Sequence, residues 1–213
     1  MPKAAAAEFS LPQALLTSFD TNNRINQYMI ENLPAEAWRA EPPAGKGRTI
    51  AAIVAHLHNV RVMWLKAAAK GSKIPEQLDR TSVTRTEATK ALEQSHAALS
   101  AVLRSALESD GRVKGFRPDV AGFFGYLIAH DAHHRGQICM LARQAGHPLP
   151  QKAIFGMWEW GQEESPSNHC AGRTYGEGLR AVRPSLGFRS LAKPNLSATA
   201  LNYSVRYLRV ESP

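Results

Sequence analysis

Four stretches of this chain place apolar residues at helical spacing, and polar connections separate them. The first runs from Leu11 to Asn32, with Leu15, Phe19, Asn22, Asn26, Met29 and Leu33 on one face. Pro34 and then Glu41–Gly47, rich in Pro and Gly, break it from the second. Thr49 is the expected N-cap of that second helix, which ends near Lys70 and Gly71. Ile53, His56, Val60, Met63, Trp64 and Ala67 form its continuous stripe, and His58 points nearly opposite. A second stripe through Val54, Leu57, Arg61 and Leu65 is weaker, because Arg61 interrupts it. Residues 71–84, polar and carrying Pro75, suit a crossing link. Thr84 with Glu87 spells a capping box for the third helix, whose face holds Leu92, Ala98, Leu99, Val102, Leu103 and Ala106. The fourth, Val120 to Gln144, contains no Pro and has Gly146 as its expected C-cap. Nothing reads as an alternating strand before residue 170, so the predicted fold is an all-α four-helix bundle.

The fourth helix carries the chemistry. Val120, Phe123, Leu127, His130, His134, Ile138 and Leu141 fall within one arc of about 80° at 100° per residue. His130 and His134, at i and i+4, therefore project side by side from the core-facing stripe, and His133 falls off its centre. Two such imidazoles can grip one divalent ion, and a buried imidazole needs a partner for its nitrogens. A third ligand must come from elsewhere, and periodicity favours His56 over His58 as the inward group of the second helix. Around one ion the nearest ring nitrogens of the three should lie about 3–4 Å apart. His96, His147 and His169 show no comparable setting and read as surface residues.

Asp131 follows His130 near the core arc and is the candidate partner for a ligand imidazole. Arg135, next to His134, is placed to orient an anionic substrate or cofactor, or else to form a salt bridge to Glu31 or Glu36. Gln137 is placed to hold a metal-bound water. Gly136 could admit a neighbouring helix or leave room beside the ion. Cys139, off the arc, reads as a packing residue rather than a nucleophile.

Composition narrows the class without naming a function. Hydrophobic content of 44% and aromatics at 8% suit a globular chain. No stretch reaches the roughly 18 apolar residues of a membrane span. The N-terminal run of four Ala ends at Glu8, too short for a signal-peptide core. Two Cys, Cys139 and Cys170, give no disulfide framework, so a reducing cytoplasm is the simplest setting. The net charge of +8 is scattered, and no helix carries a basic stripe with interleaved aromatics, which argues against a specific nucleic-acid partner. Character changes after Glu163. Residues 164–213 hold seven Lys and Arg against three Glu, show no helical stripe and are rich in Gly, Ser, Pro and Asn. The predicted organisation is a bundle over 1–163 and a basic, largely disordered extension over 164–213.

Together these residues resemble the DinB-like superfamily of bacterial, damage-inducible four-helix metalloproteins. The resemblance rests on Ala55-His56-Leu57 with Trp64 eight residues after His56, and on His130-x-x-His133-His134-Arg135-Gly136-Gln137. The basic turn at 112–117, Gly146-His-Pro148-Leu-Pro150 and Phe155–Trp160 extend it, so that it covers Leu11 to Trp160. It implies a metal site between helices two and four, held by His56, His130 and His134, with His133 as the non-ligand of the motif. The tail has no counterpart in the family pattern. The ion it implies is divalent, zinc or nickel, and three neutral imidazoles leave positions open on it. The activity it implies is metal-dependent thiol S-transfer, with a low-molecular-weight thiol as cosubstrate. The alternatives are a metal-water hydrolase and a non-catalytic metal-binding bundle of a stress response. The expected partners are a small-molecule substrate and, as an open alternative, a second copy of the chain in a homodimer, with no membrane.

Overall fold

The computed structural model describes residues 9–69, 71 and 73–160. Four long helices, α1 (Leu11–Glu31), α2 (Ile50–Ala68), α3 (Arg85–Leu107) and α4 (Val120–Gln144), pack against one another. A short α5 (Gln151–Gly156) follows, and 3-10 turns at Glu36–Arg39 and Pro43–Gly45 lie between α1 and α2. These three short elements were not legible in the sequence. Among the described residues there is no strand, and no helix is long and apolar enough to cross a membrane. The chain divides into one unit over Met1–Glu164 and another over Ser165–Pro213. The expected disordered extension lies outside the described residues.

The helix ends follow from local chemistry. Thr49 Oγ1 accepts from the Ala52 amide at 3.2 Å, and Asp119 Oδ1 from the Gly122 amide at 2.8 Å. At α3 the capping box is reciprocal: Thr84 Oγ1 accepts from the Glu87 amide, and Glu87 Oε2 from the Thr84 amide. The cap of α4 is Ala145, with Gly146 one residue beyond it at φ +82°. The His147 amide reaches back to the Ala142 carbonyl and the Gly146 amide to that of Arg143, which closes the helix as a Schellman turn.

The interior has a layered order. Met29, Ile30, Ile53, Val54, Leu92 and Ile138 belong to one apolar cluster. Leu16, Phe19, Leu65, Leu99, Leu103, Phe123 and Leu127 belong to another. Along each helix, buried polar side chains fall between the two: Asn22, Asn23 and Asn26 on α1, His58 and Arg61 on α2, Ser95 on α3, Asp131 and His134 on α4. Polar groups in such a layer must satisfy one another, because water is not there to do so.

That layer corrects the reading of α2. Its buried face is the stripe through Val54, Leu57, Arg61 and Leu65, with His58 also fully buried, while Met63 is exposed and Trp64 half-buried. Arg61 can lie inward because its Nη1 bonds Asn23 and the Leu92 carbonyl and its Nη2 bonds Asp131, while the buried Nε has no partner among the described residues. His58 donates through Nε2 to the Glu76 carbonyl at 2.8 Å, and its Nδ1 lies 3.1 Å from Ser95 Oγ. Asn59 clamps the same link by pairing with both backbone groups of Leu78. His96, expected at the surface, is largely covered. It packs on the Phe19 ring and bonds Asp20 Oδ1 at 2.9 Å.

Candidate metal centre

His56 on α2 and His130 and His134 on α4 come together at the edge of the polar layer. One ring nitrogen from each lies within 4.8 Å of the others. That bound is wider than the spacing of about 3–4 Å that ligand bonds of about 2.0–2.1 Å would give. The ring centroids stand 4.6 Å apart for His130 and His134, 4.8 Å for His56 and His134, and 5.4 Å for His56 and His130. His134 is buried, whereas His56 and His130 are half-buried. The core line of α4 runs through Val120, Phe123, Leu127, Asp131, His134, Ile138 and Ala142. Asp131 and Ala142 therefore take the central places expected for His130 and Leu141, which sit on its flank.

His130 and His134 each have a group on the Nδ1 side. Gln137 Oε1 lies 2.7 Å from His134 Nδ1, and its Nε2 lies 3.0 Å from His133 Nε2. With Gln137 accepting from His134 Nδ1–H, the lone pair of His134 stands on Nε2. Gln137, expected to hold a water, is thus engaged with the ring of His134, and the exposed His133 helps to hold Gln137. Asp131 Oδ1 lies 3.7 Å from His130 Nδ1, an electrostatic contact longer than a hydrogen bond. Tyr126 stacks on His130 with ring centroids 5.9 Å apart, and packs in turn with Trp64, Phe116 and Phe123.

Burial and neighbouring charge favour the neutral form of His56 and His134. Burial first, then the charges of His134, Arg48, His130 and Arg80, push the pKa of His56 down to about 4. Burial also lowers that of His134, opposed by the bond to Gln137. Neutral imidazole is the ligating species. Among the described residues, the buried Nδ1 of His56 has no hydrogen-bond partner. An unsatisfied buried nitrogen beside two further imidazoles suits a cation. Burial alone would raise the pKa of Asp131, but the Arg61 guanidinium beside it, with the nearby His130 ring and the bond from Asn26, holds it well below the usual carboxylate range.

Other candidates stand elsewhere. Arg135 bonds neither Glu31 nor Glu36. Its Nη1 donates to Asn22 Oδ1 at 2.7 Å and to Asn26 Oδ1 at 2.8 Å, which ties α4 to α1. The cations whose charge acts on His56 are Arg48 and Arg80, which periodicity gave no reason to single out. A Cβ on Gly136 would meet nothing within 4 Å, so no helix approaches there. Gly136 lines a cavity of about 350 Å³ with Arg135, Cys139, Met157 and Trp158, away from the histidines. Cys139 packs against the core and burial pushes its thiol pKa up, which suits packing rather than nucleophilic attack.

Helical bundle, histidine cluster and motif spacing define a class, and the comparisons with known proteins agree with it. The sequence profile of the DinB family matches residues 1–164. A DinB-like protein from Bacillus cereus superposes with a TM-score of 0.53 at 23% identity, covering 65% of this chain and 95% of that one. No match is found among the curated proteins. The chain belongs to the DinB family.

Proposed function

We propose that this protein binds a divalent metal ion, zinc or nickel, through His56, His130 and His134, and uses it in transfer of a low-molecular-weight thiol to a small electrophile. The observation that carries the reading is the convergence of three imidazoles from two helices. Among the described residues no fourth His, Cys, Asp or Glu joins the set, so the protein leaves positions for water or substrate. A divalent ion held there would supply a Lewis acid that lowers the pKa of a coordinated thiol or water. The chain's own part is to hold the rings and to set the field. Gln137 engages the ring of His134, and His56 and His130 are only partly covered. The positive charge of Arg48 and Arg80 near His56 favours a thiol or electrophile that carries carboxylates or phosphates. The thiol gives up a proton to solvent, its sulfur bonds to the electrophilic carbon, and the leaving group departs with the electron pair of the broken bond.

The test begins with protein made without a His tag and stripped by chelator. Titration with zinc, nickel and cobalt should reach one ion per chain. A cellular thiol added to the cobalt form should then produce charge-transfer bands, since thiolate coordination gives them and water does not. Absence of stoichiometric uptake ends the metal reading. Uptake with no spectral response to any cellular thiol turns the reading to metal-water hydrolysis or to a non-catalytic bundle.

A further inference from the structure

The residue that breaks the apolar stripe of α2 has a place in the site that neither motif nor family profile assigns. Arg61 is 1% exposed, lies five residues after His56, and sends Nη2 to Asp131 Oδ2 at 2.8 Å. Asp131 is 2% exposed and directly follows His130. This ion pair therefore bridges the two helices that supply the histidines. The same Oδ2 accepts from Asn22 Nδ2 at 2.7 Å and from Asn26 Nδ2 at 2.8 Å, while Arg135 donates to the carbonyl oxygens of both amides. Arg61 Nη1 is held by Asn23 and by the Leu92 carbonyl of α3. All four helices are tied at one level, and Asp131 Oδ2 is the common acceptor.

We infer that Arg61 is a positioning residue for the metal centre: it anchors Asp131 by one oxygen, so that the other faces His130 Nδ1 and leaves that ring's lone pair on Nε2 for the ion. The inference rests on the metal reading of the three histidines. Two consequences follow from the geometry. With Oδ2 taken by three donors, the carboxylate cannot rotate without breaking charged bonds in a buried setting. A carboxylate whose free oxygen is 3.7 Å from Nδ1 favours the tautomer that carries its proton there. The pair also fixes the register of α2 against α4, and with it the approach of His56 to His130 and His134.

The experiment separates fold from site. Metal-free full-length wild type, labelled with nitrogen-15 in histidine, reports the tautomer of each ring at pH 8 and needs no substitution to fold. His130 should carry its proton on Nδ1. In parallel, zinc and cobalt affinities are measured for wild type, for Arg61→Lys and for the double variant Arg61→Met with Asp131→Leu. Replacing both partners by apolar groups of similar size removes the ion pair without leaving either charge buried alone. The double variant should keep its helicity and bind the ion about 10- to 100-fold more weakly, with Arg61→Lys in between. Wild type that takes up no ion sinks the metal reading beneath the proposal. Wild type that takes up the ion while His130 carries its proton on Nε2 overturns the positioning role alone. A folded double variant with wild-type affinity overturns it as well, and if that variant does not fold the wild-type tautomer decides.

Discussion

At the scale of single residues, the adjacent His133 and His134 differ only in the face they present. His134 is buried among the three imidazoles, whereas His133 is exposed and reaches Gln137. His134→Ala is expected to abolish stoichiometric metal uptake, and His133→Ala to retain it. Equal losses in a metal titration would mean the wrong member of the motif has been assigned. A second expectation concerns acid. The folded pKa of His56, about 4, lies below its ordinary value of 6.5. Between those values the unfolded chain binds a proton that the folded chain refuses, so stability falls as pH is lowered through that window and levels off beneath it. Asp131 acts in the same direction only further down. Its depressed pKa contributes stability above the usual carboxylate value of 3.8, and loses it as pH drops well below that. Thermal midpoints of metal-free protein from pH 7.5 to 4.5 test the first window. His56→Asn should flatten the curve, and an unchanged slope would show that another group titrates there.

At the scale of elements, α3 depends on its first turn. Thr84 and Glu87 exchange bonds that satisfy two amides otherwise left orphaned at a helix start. Thr84→Ala should cost about 1 kcal/mol, a lowering of the thermal midpoint by about 2–4 °C for a chain of this size. Metal stoichiometry should not change, because α3 supplies none of the three imidazoles. A loss of metal in that variant would show that the α3 terminus bears on the site. The link before α3 behaves as part of the fold, since His58 and Asn59 hold its backbone at Glu76 and Leu78.

At the scale of the whole molecule, the family match ends where the contacts divide. The profile covers residues 1–164, and the compact unit runs from Met1 to Glu164. All four long helices, both apolar clusters and the polar layer belong to that unit. Deleting residues 164–213 is therefore expected to leave helicity, metal content and thermal midpoint nearly unchanged. Loss of cooperative unfolding on truncation, followed by circular dichroism, would show the tail to be part of the core.

The four long helices were legible in the chain alone. Thr84 with Glu87 marked the start of α3, the unbroken run from Val120 to Gln144 marked α4, and the i, i+4 spacing of His130 and His134 put two imidazoles side by side. Those features are local, set by the period of the helix and the chemistry of its ends, and a single chain displays them without a partner. Which polar residues lie inside was decided by the tertiary structure. Arg61 read as a flaw in a stripe and His58 as an outward group, yet both are buried, because their partners, Asp131, Asn23, Ser95 and the carbonyls of Leu92 and Glu76, come from distant parts of the chain. Periodicity scores a charged side chain as exposed because an unpaired charge cannot enter a core. It holds no information about a countercharge 70 residues away. Asn22 and Asn26 were the nearest signal, two amides on the inward stripe of α1 that had to be satisfied by something. Only the packing of four helices shows that the something is a carboxylate shared with Arg61, next to His130.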